Sequence, residues 1–133
     1  MNPPKDLFEA ARAARENSYS PYSRAKVGAA IRTADGRIHA GCNVENSSFG
    51  GTCCAERVAI HSAIAAHGKI ELKEVLVLTD ATPPWPPCGI CRQVVAEFGP
   101  HATIHVTNLK GEHRSFSLAE LLPQAFTPAH LKA

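Results

Sequence analysis

Apolar residues recur at helical spacing over residues 6–18, where Leu7, Phe8, Ala11 and Ala14 share one face, which predicts a first amphipathic helix. Ser20-Pro21-Tyr22-Ser23 breaks it. Residues 27–33 read as a small-residue strand, and Asp35-Gly36 is a hairpin signal leading into a second strand over 37–42. Residues 43–52 are polar and glycine-containing and predict a loop. From Cys54 the spacing is helical again through Val58, Ile60, Ala63 and Ile64, with Gly68 placed to end the helix. The continuous apolar run 75–79 suits a strand buried on both faces. Four prolines in 82–87 bar both helix and central strand, leaving a stiff loop. A third helix is expected from Cys88 to Gly99-Pro100, then strands at 103–107 and 114–116 around a turn at Lys110-Gly111. Ser117 and Glu120 form a capping box that opens a short last helix. Strands alternating with helices predict a layered α/β domain, and the opening hairpin makes its sheet mixed.

At 133 residues the chain is expected to fold as one domain, residues 1–133. Its 14 Lys and Arg against 12 Asp and Glu leave a formal charge of +2, and no two cations are adjacent. That argues against a nucleic-acid partner, which calls for a basic patch or stripe. No apolar stretch approaches the roughly 18 residues that span a membrane. Met1-Asn2-Pro3-Pro4-Lys5-Asp6 lacks the apolar core of a secretory signal. Five cysteines is an odd count, and three of them fall in metal spacing. A reduced, cytoplasmic location fits that better than a disulfide framework.

The chemistry concentrates in Cys54-Ala55-Glu56-Arg57 and Pro87-Cys88-Gly89-Ile90-Cys91-Arg92-Gln93. Both motifs fall at expected helix starts, where unpaired N–H groups and the positive end of the macrodipole favour thiolates. Cys88 and Cys91, three apart, share one face of a first helical turn. With Cys54 they offer three ligands to one Zn²⁺ and leave a fourth position open, which separates a catalytic from a structural site. Glu56, two residues after Cys54, is placed to move a proton. Three thiolates on Zn²⁺ leave a net negative charge, which Arg57 or Arg92 could offset by donating to sulfur. The competing reading of either arginine is a solvated surface side chain. Cys-x-x-Cys alone also suits a redox pair or half of a structural zinc site. Such a site needs a fourth ligand from Cys53, Cys42 or His61. Cys53 and Cys42 read instead as small buried apolar residues. The seven histidines show no ligand-pair spacing and read as surface or helix-face residues. A carboxylate immediately after Cys54-Ala55 has no purpose in a structural knuckle and tips the balance to catalysis.

Cys-x-Glu followed by Pro-Cys-x-x-Cys is the signature of zinc deaminases, and the likeness extends along the chain. Ser20-Pro21-Tyr22-Ser23, Val27-Gly28-Ala29-Ala30, Gly41-Cys42-Asn43-Val44-Glu45-Asn46, both cysteine motifs, Thr107-Asn108-Leu109 and Leu121-Leu122-Pro123-Gln124-Ala125-Phe126 occur in order. In these the sequence resembles the small, homotetrameric cytidine deaminases with a three-cysteine zinc site. The resemblance implies a three-layer α/β/α sandwich around a mixed five-stranded sheet. It implies zinc on Cys54, Cys88 and Cys91, and proton transfer by Glu56. Asn43 and Glu45 would hold the ribose 3′-hydroxyl, and Ala55 would also contact substrate. Phe126 would reach a neighbouring subunit's site. Alternate positions of an extended segment point to one side, so an amide and a carboxylate at 43 and 45 can grip one hydroxyl. Expected is hydrolysis of cytidine and 2′-deoxycytidine to the uridine forms with release of ammonia. The alternatives are a deaminase of a modified cytosine nucleoside or blasticidin-like antibiotic, and a zinc-stabilised binding module without turnover. Departures from the family's usual residues are Ala25 for Phe, Phe49 for Tyr, Gln124 for Gly, and Cys53. They bear on substrate range and subunit contact more than on reaction type.

Overall fold

A computed structural model describes residues 2–131. In chain order the elements are α1 (Lys5–Arg15), β1 (Gly28–Thr33), β2 (Ile38–Cys42), α2 (Ala55–His67), β3 (Leu72–Thr79), α3 (Gly89–Phe98), β4 (Thr103–Asn108), β5 (His113–Ser117) and α4 (Leu118–Leu121). Two 3₁₀ turns, Phe49–Gly51 and Pro128–Leu131, complete the set. The strands form one sheet in the order β2-β1-β3-β4-β5. β3 and β4 run parallel, and the other neighbours are antiparallel. The expected mixed five-stranded sheet is therefore present.

Period-two alternation distributes the core. Ile31, Val75, Val77, Ile104 and Val106 meet Ala59, Ile60 and Ala63 of α2 and Val95 and Ala96 of α3. The intervening Ala30, Leu76 and Leu78 meet Leu7 and Ala11 of α1 on the other face. Val75, Leu76 and Leu78 are completely buried, as the apolar run requires of a strand covered on both sides. Each such side chain contributes about 1.5–3 kcal/mol by leaving water. α1 covers one face and α2 with α3 covers the other, giving the α/β/α layers.

Local chemistry sets the ends of the elements. Gly68 stops α2 at φ 77°, a conformation costly for any residue with a Cβ. Ser117 accepts from the Glu120 backbone while the Glu120 carboxylate accepts from the Ser117 N–H at 2.9 Å, completing the expected capping box. The loop 43–52 carries more structure than its polarity suggests. Val44 bridges both Tyr19 and Cys53 through the backbone and so ties the start of α2 to the segment after α1. Among the described residues no helix is long and apolar enough to cross a membrane.

Candidate active site

The N-termini of α2 and α3 converge near the carboxyl end of β3. Cys54 caps α2 and Cys88 caps α3, both with extended backbone, and Cys91 lies one turn into α3. The Cys88 sulfur accepts the Cys91 N–H at 3.5 Å, satisfying one orphan donor of the helix start. The Cys54 and Cys88 sulfurs are 3.6 Å apart, and all three sulfurs lie within 4.8 Å of one another. Four sulfur-length bonds of about 2.3 Å around a tetrahedral zinc put ligands roughly 3.8 Å apart. The cluster fits zinc, and among the described residues it is the one group of three such ligands.

Electrostatics around the sulfurs agree with that fit. A hydrogen bond from Cys91, then those from Arg57 and Cys88, pull the Cys54 thiol below its ordinary value against the opposing effect of burial. The same bond to Cys54, followed by burial, pushes the Cys91 thiol well above its ordinary value. Arg57 Nη2 lies 3.5 Å from the Cys54 sulfur and donates to the Thr52 carbonyl at 3.3 Å. Its Nε is buried and has no hydrogen-bond partner among the described residues. Arg57 thus stands where it offsets thiolate charge. Arg92 does not: its Nε donates to the Pro87 carbonyl and its Nη1 to that of Leu121, both at 2.8 Å. It fixes the proline-rich loop and α4 against α3.

The Glu56 carboxylate is 3% exposed, and this burial raises its pKa to about 7. The Cys54 charge pushes the same way, while Arg57 opposes it. A buried acid near neutrality can both hold and release a proton. It lines a cavity of about 300 Å³ together with Cys54, Cys88, Ala55, Asn43 and Glu45. The wall also includes Ser23, Ala25, Thr79 and Trp85.

Asn43 and Glu45 are buried and engaged with the loop 20–27. Asn43 Nδ2 donates to the Ala25 carbonyl at 2.7 Å, and its Oδ1 accepts the Val27 N–H at 3.0 Å and the Ser18 hydroxyl. Glu45 accepts the Tyr22 and Ser23 N–H groups at 2.9 and 3.1 Å, and the Ser23 hydroxyl. One amide N–H and one carboxylate lone pair remain for a ligand. Sequence reasoning missed this grip because it joins segments some twenty residues apart.

Phe126 is not brought to this cavity within one chain. It is exposed, stacks on His130 at 5.2 Å, and its carbonyl accepts from Gln93 Nε2 at 2.8 Å. Phe49 also stays outside the lining, packing edge-on against Tyr22 at 5.7 Å. Trp85, in contrast, borders the cavity while half exposed. Its place in a proline-rich loop suited a packing anchor as well as a cavity wall, and the fold makes it the wall. Cys42 and Cys53, expected to be buried, are half-buried, Cys42 at the end of β2 and Cys53 in the backbone bridge to Val44. The histidine expectation also needs correction: His105 is a buried strand residue, hydrogen-bonded to Glu74.

Fold and cluster place the chain in the class of α/β proteins that can hold one zinc by three thiolates at paired helix starts. Residues 1–107 match the family described as the cytidine and deoxycytidylate deaminase zinc-binding region. A cytidine deaminase of Halalkalibacterium halodurans is 45% identical over 122 residues, covering 91% of this chain and 92% of that protein. The crystal structure of cytidine deaminase from Burkholderia pseudomallei superposes with a TM-score of 0.86 at 48% identity, over 91% of this chain and 97% of that one. That from Mycobacterium tuberculosis gives 0.77 at 37% identity, over 91% and 94%. The chain belongs to the cytidine and deoxycytidylate deaminase family, and zinc is its cofactor.

Proposed function

We propose that this protein hydrolyses cytidine and 2′-deoxycytidine to uridine and 2′-deoxyuridine with release of ammonia, in pyrimidine salvage in the cytoplasm. The observation that carries the reading is the buried Glu56 carboxylate lining one cavity with Cys54 and Cys88. Cys54, Cys88 and Cys91 would hold zinc, which supplies the Lewis acidity that makes water a nucleophile at neutral pH. Glu56 takes the proton that water gives up, passes it to N3 of the cytosine ring, and carries a second proton to the departing amine. Its pKa of about 7 suits both directions of transfer. Arg57 holds the Cys54 thiolate in its charged form. Asn43 and Glu45 present their remaining donor and acceptor to a sugar hydroxyl. Ala55 opens α2, where backbone N–H groups lack helical partners and can donate to the base.

A homotetramer is part of this proposal. Phe126 is exposed, as are Tyr22, Phe49, Ile90 and Trp85, and apolar surface of this kind suits burial against other copies of the chain. A second reading, a preference for modified cytosine nucleosides, is favoured by one observation. Ala25 puts a single methyl group in the cavity wall, where the family usually has an aromatic ring.

The test is ammonia release from cytidine, deoxycytidine, cytosine, CMP and base-modified cytidines by the purified protein and by Glu56→Gln. The variant should keep its zinc and lose about 10²–10⁴-fold in turnover, because an amide cannot accept the proton. Retention of more than about a tenth of wild-type turnover rejects the assigned role.

A further inference from the structure

A second cavity of about 330 Å³ adjoins the catalytic one, and Ser23, Ala25, Thr79 and Trp85 stand in both walls. The rest of its lining has the opposite charge. Arg15, Arg24 and Lys26 border it, against the single carboxylate of Asp80. The charged groups of the catalytic cavity are Glu45 and Glu56, beside the thiols of Cys54 and Cys88, and no cation lines it. A neutral nucleoside has no use for three cations beside its site, and they are hardly used within the protein. Among the described residues the Arg24 and Lys26 side chains make no hydrogen bond or ion pair, and Arg15 uses only its Nε, which donates to the Lys26 carbonyl at 3.0 Å.

We propose that this second cavity binds an anionic group, a carboxylate or phosphate, carried by the cytosine nucleoside that occupies the first. The proposal rests on the deaminase reading above and adds the charge of the substrate to it. Like charge keeps an acidic substituent out of the catalytic cavity. In the second, guanidinium and ammonium groups meet it with charge-assisted hydrogen bonds, and the planar fork of an arginine matches carboxylate and phosphate oxygens. Ala25 contributes a methyl group to the shared wall, where the family usually has an aromatic ring, and so obstructs little between the two spaces.

The cations stand on a fixed turn. Arg24 takes a left-handed φ of 62°, which a residue with a Cβ keeps only when its surroundings hold it there. The Arg24 N–H donates to the Ser20 carbonyl at 2.9 Å and the Ala25 N–H to the Ser23 hydroxyl at 3.1 Å. The Ala25 carbonyl accepts from Asn43 Nδ2 at 2.7 Å. That last bond joins the turn to a residue assigned to the sugar, so the cations keep a set spacing from the nucleoside. A turn already in place loses little entropy when the anion arrives.

The test is calorimetric binding to zinc-loaded Glu56→Gln protein, in which turnover does not consume the ligand. Each of two arms compares an acid with an uncharged analogue of similar shape. One sets 5-carboxycytidine against 5-carbamoylcytidine, the other cytidine 5′-monophosphate against 5′-O-sulfamoylcytidine. At least one acid should bind about ten-fold more tightly than its partner, the scale of one hydrogen bond to a charged group. The arm that responds tells whether the anion hangs from the ring or from the sugar. The preference should shrink as salt rises from about 0.05 to 0.5 M, because partly exposed charges are screened. It should vanish in Arg24→Gln/Lys26→Gln, and Ala25→Phe should weaken the preferred acid while tightening cytidine. No preference in either arm overturns the proposal, as does a preference that survives the double substitution. Cytidine turnover by the wild-type protein is measured in parallel. Its absence rejects the deaminase reading, whereas the ratio of affinities alone decides the anion site.

Discussion

Ala25 sits at the junction of two neighbouring cavities, which share Ser23, Ala25, Thr79 and Trp85 in their walls. A methyl group there leaves the face beside Trp85 wide and without an aromatic surface. Base-on-aromatic stacking is worth about 1–3 kcal/mol, so Ala25→Phe should tighten cytidine binding and slow turnover of bulky analogues. If both substrate types respond equally in steady-state kinetics, Ala25 is not a specificity residue. The adjacent thiols make a second test at this scale. Cys53→Ser should retain zinc by elemental analysis, and Cys54→Ser should lose it, since the Cys54 sulfur stands with those of Cys88 and Cys91. Glu45 gives a pH dependence. Ser23 first, then the Ser23 and Tyr22 backbone, hold its carboxyl below the ordinary 4.5 against burial. A depressed carboxylate stabilises the fold fully above the unfolded value and less as pH falls through the folded one. Protection of residues 20–27 from hydrogen exchange, taken relative to the intrinsic rate at each pH, should therefore be full above pH 4.5, fall below it, and be low and independent of pH in Glu45→Gln.

At the scale of elements, the site depends on how closely β2 approaches α2. A Cβ on Gly41 would lie 2.6 Å from the Ala59 nitrogen and 2.7 Å from the Ala55 carbonyl oxygen. Both atoms are helix backbone and cannot step aside alone. Gly41→Ala should displace the start of α2, which carries Cys54 and Glu56, and cost about 1–3 kcal/mol in denaturant unfolding. Zinc affinity should fall with it. Unchanged affinity would mean that α2 can shift without moving its first turn. The elements themselves were largely readable in the sequence. Gly68, Ser117 with Glu120, and the prolines of residues 82–87 act through the backbone of their own neighbours, so their effects need no tertiary context. The tie of Val44 to Tyr19 and Cys53 was not readable, because it pairs single residues across loops and has no periodicity.

For the whole molecule, metal and assembly are the governing variables. Zinc bound by the folded cluster stabilises the folded state by mass action, so chelation should lower the melting temperature and abolish turnover, with both restored by added zinc. Light scattering should give a tetramer, and Phe126→Ala should lower activity more than it lowers stability if that ring completes a neighbour's cavity. A fully active monomer would remove the shared-site proposal.

Fold class, the three cysteines and the placement of Glu56 were set by the sequence alone. Apolar periodicity and helix-start chemistry are local properties, and Cys88 and Cys91 lie within a single turn. Tertiary structure decided the rest. It buried Glu56 and raised its pKa to about 7, a consequence of desolvation by packed neighbours. It turned Asn43 and Glu45 onto the loop 20–27, brought Trp85 to the cavity, and diverted Arg92 to the Leu121 carbonyl. It also brought Glu74, His105, His113 and Ser115 together across three strands. Each of these depends on strand register and loop closure, which bring together residues distant in the chain and leave no short-range pattern to read.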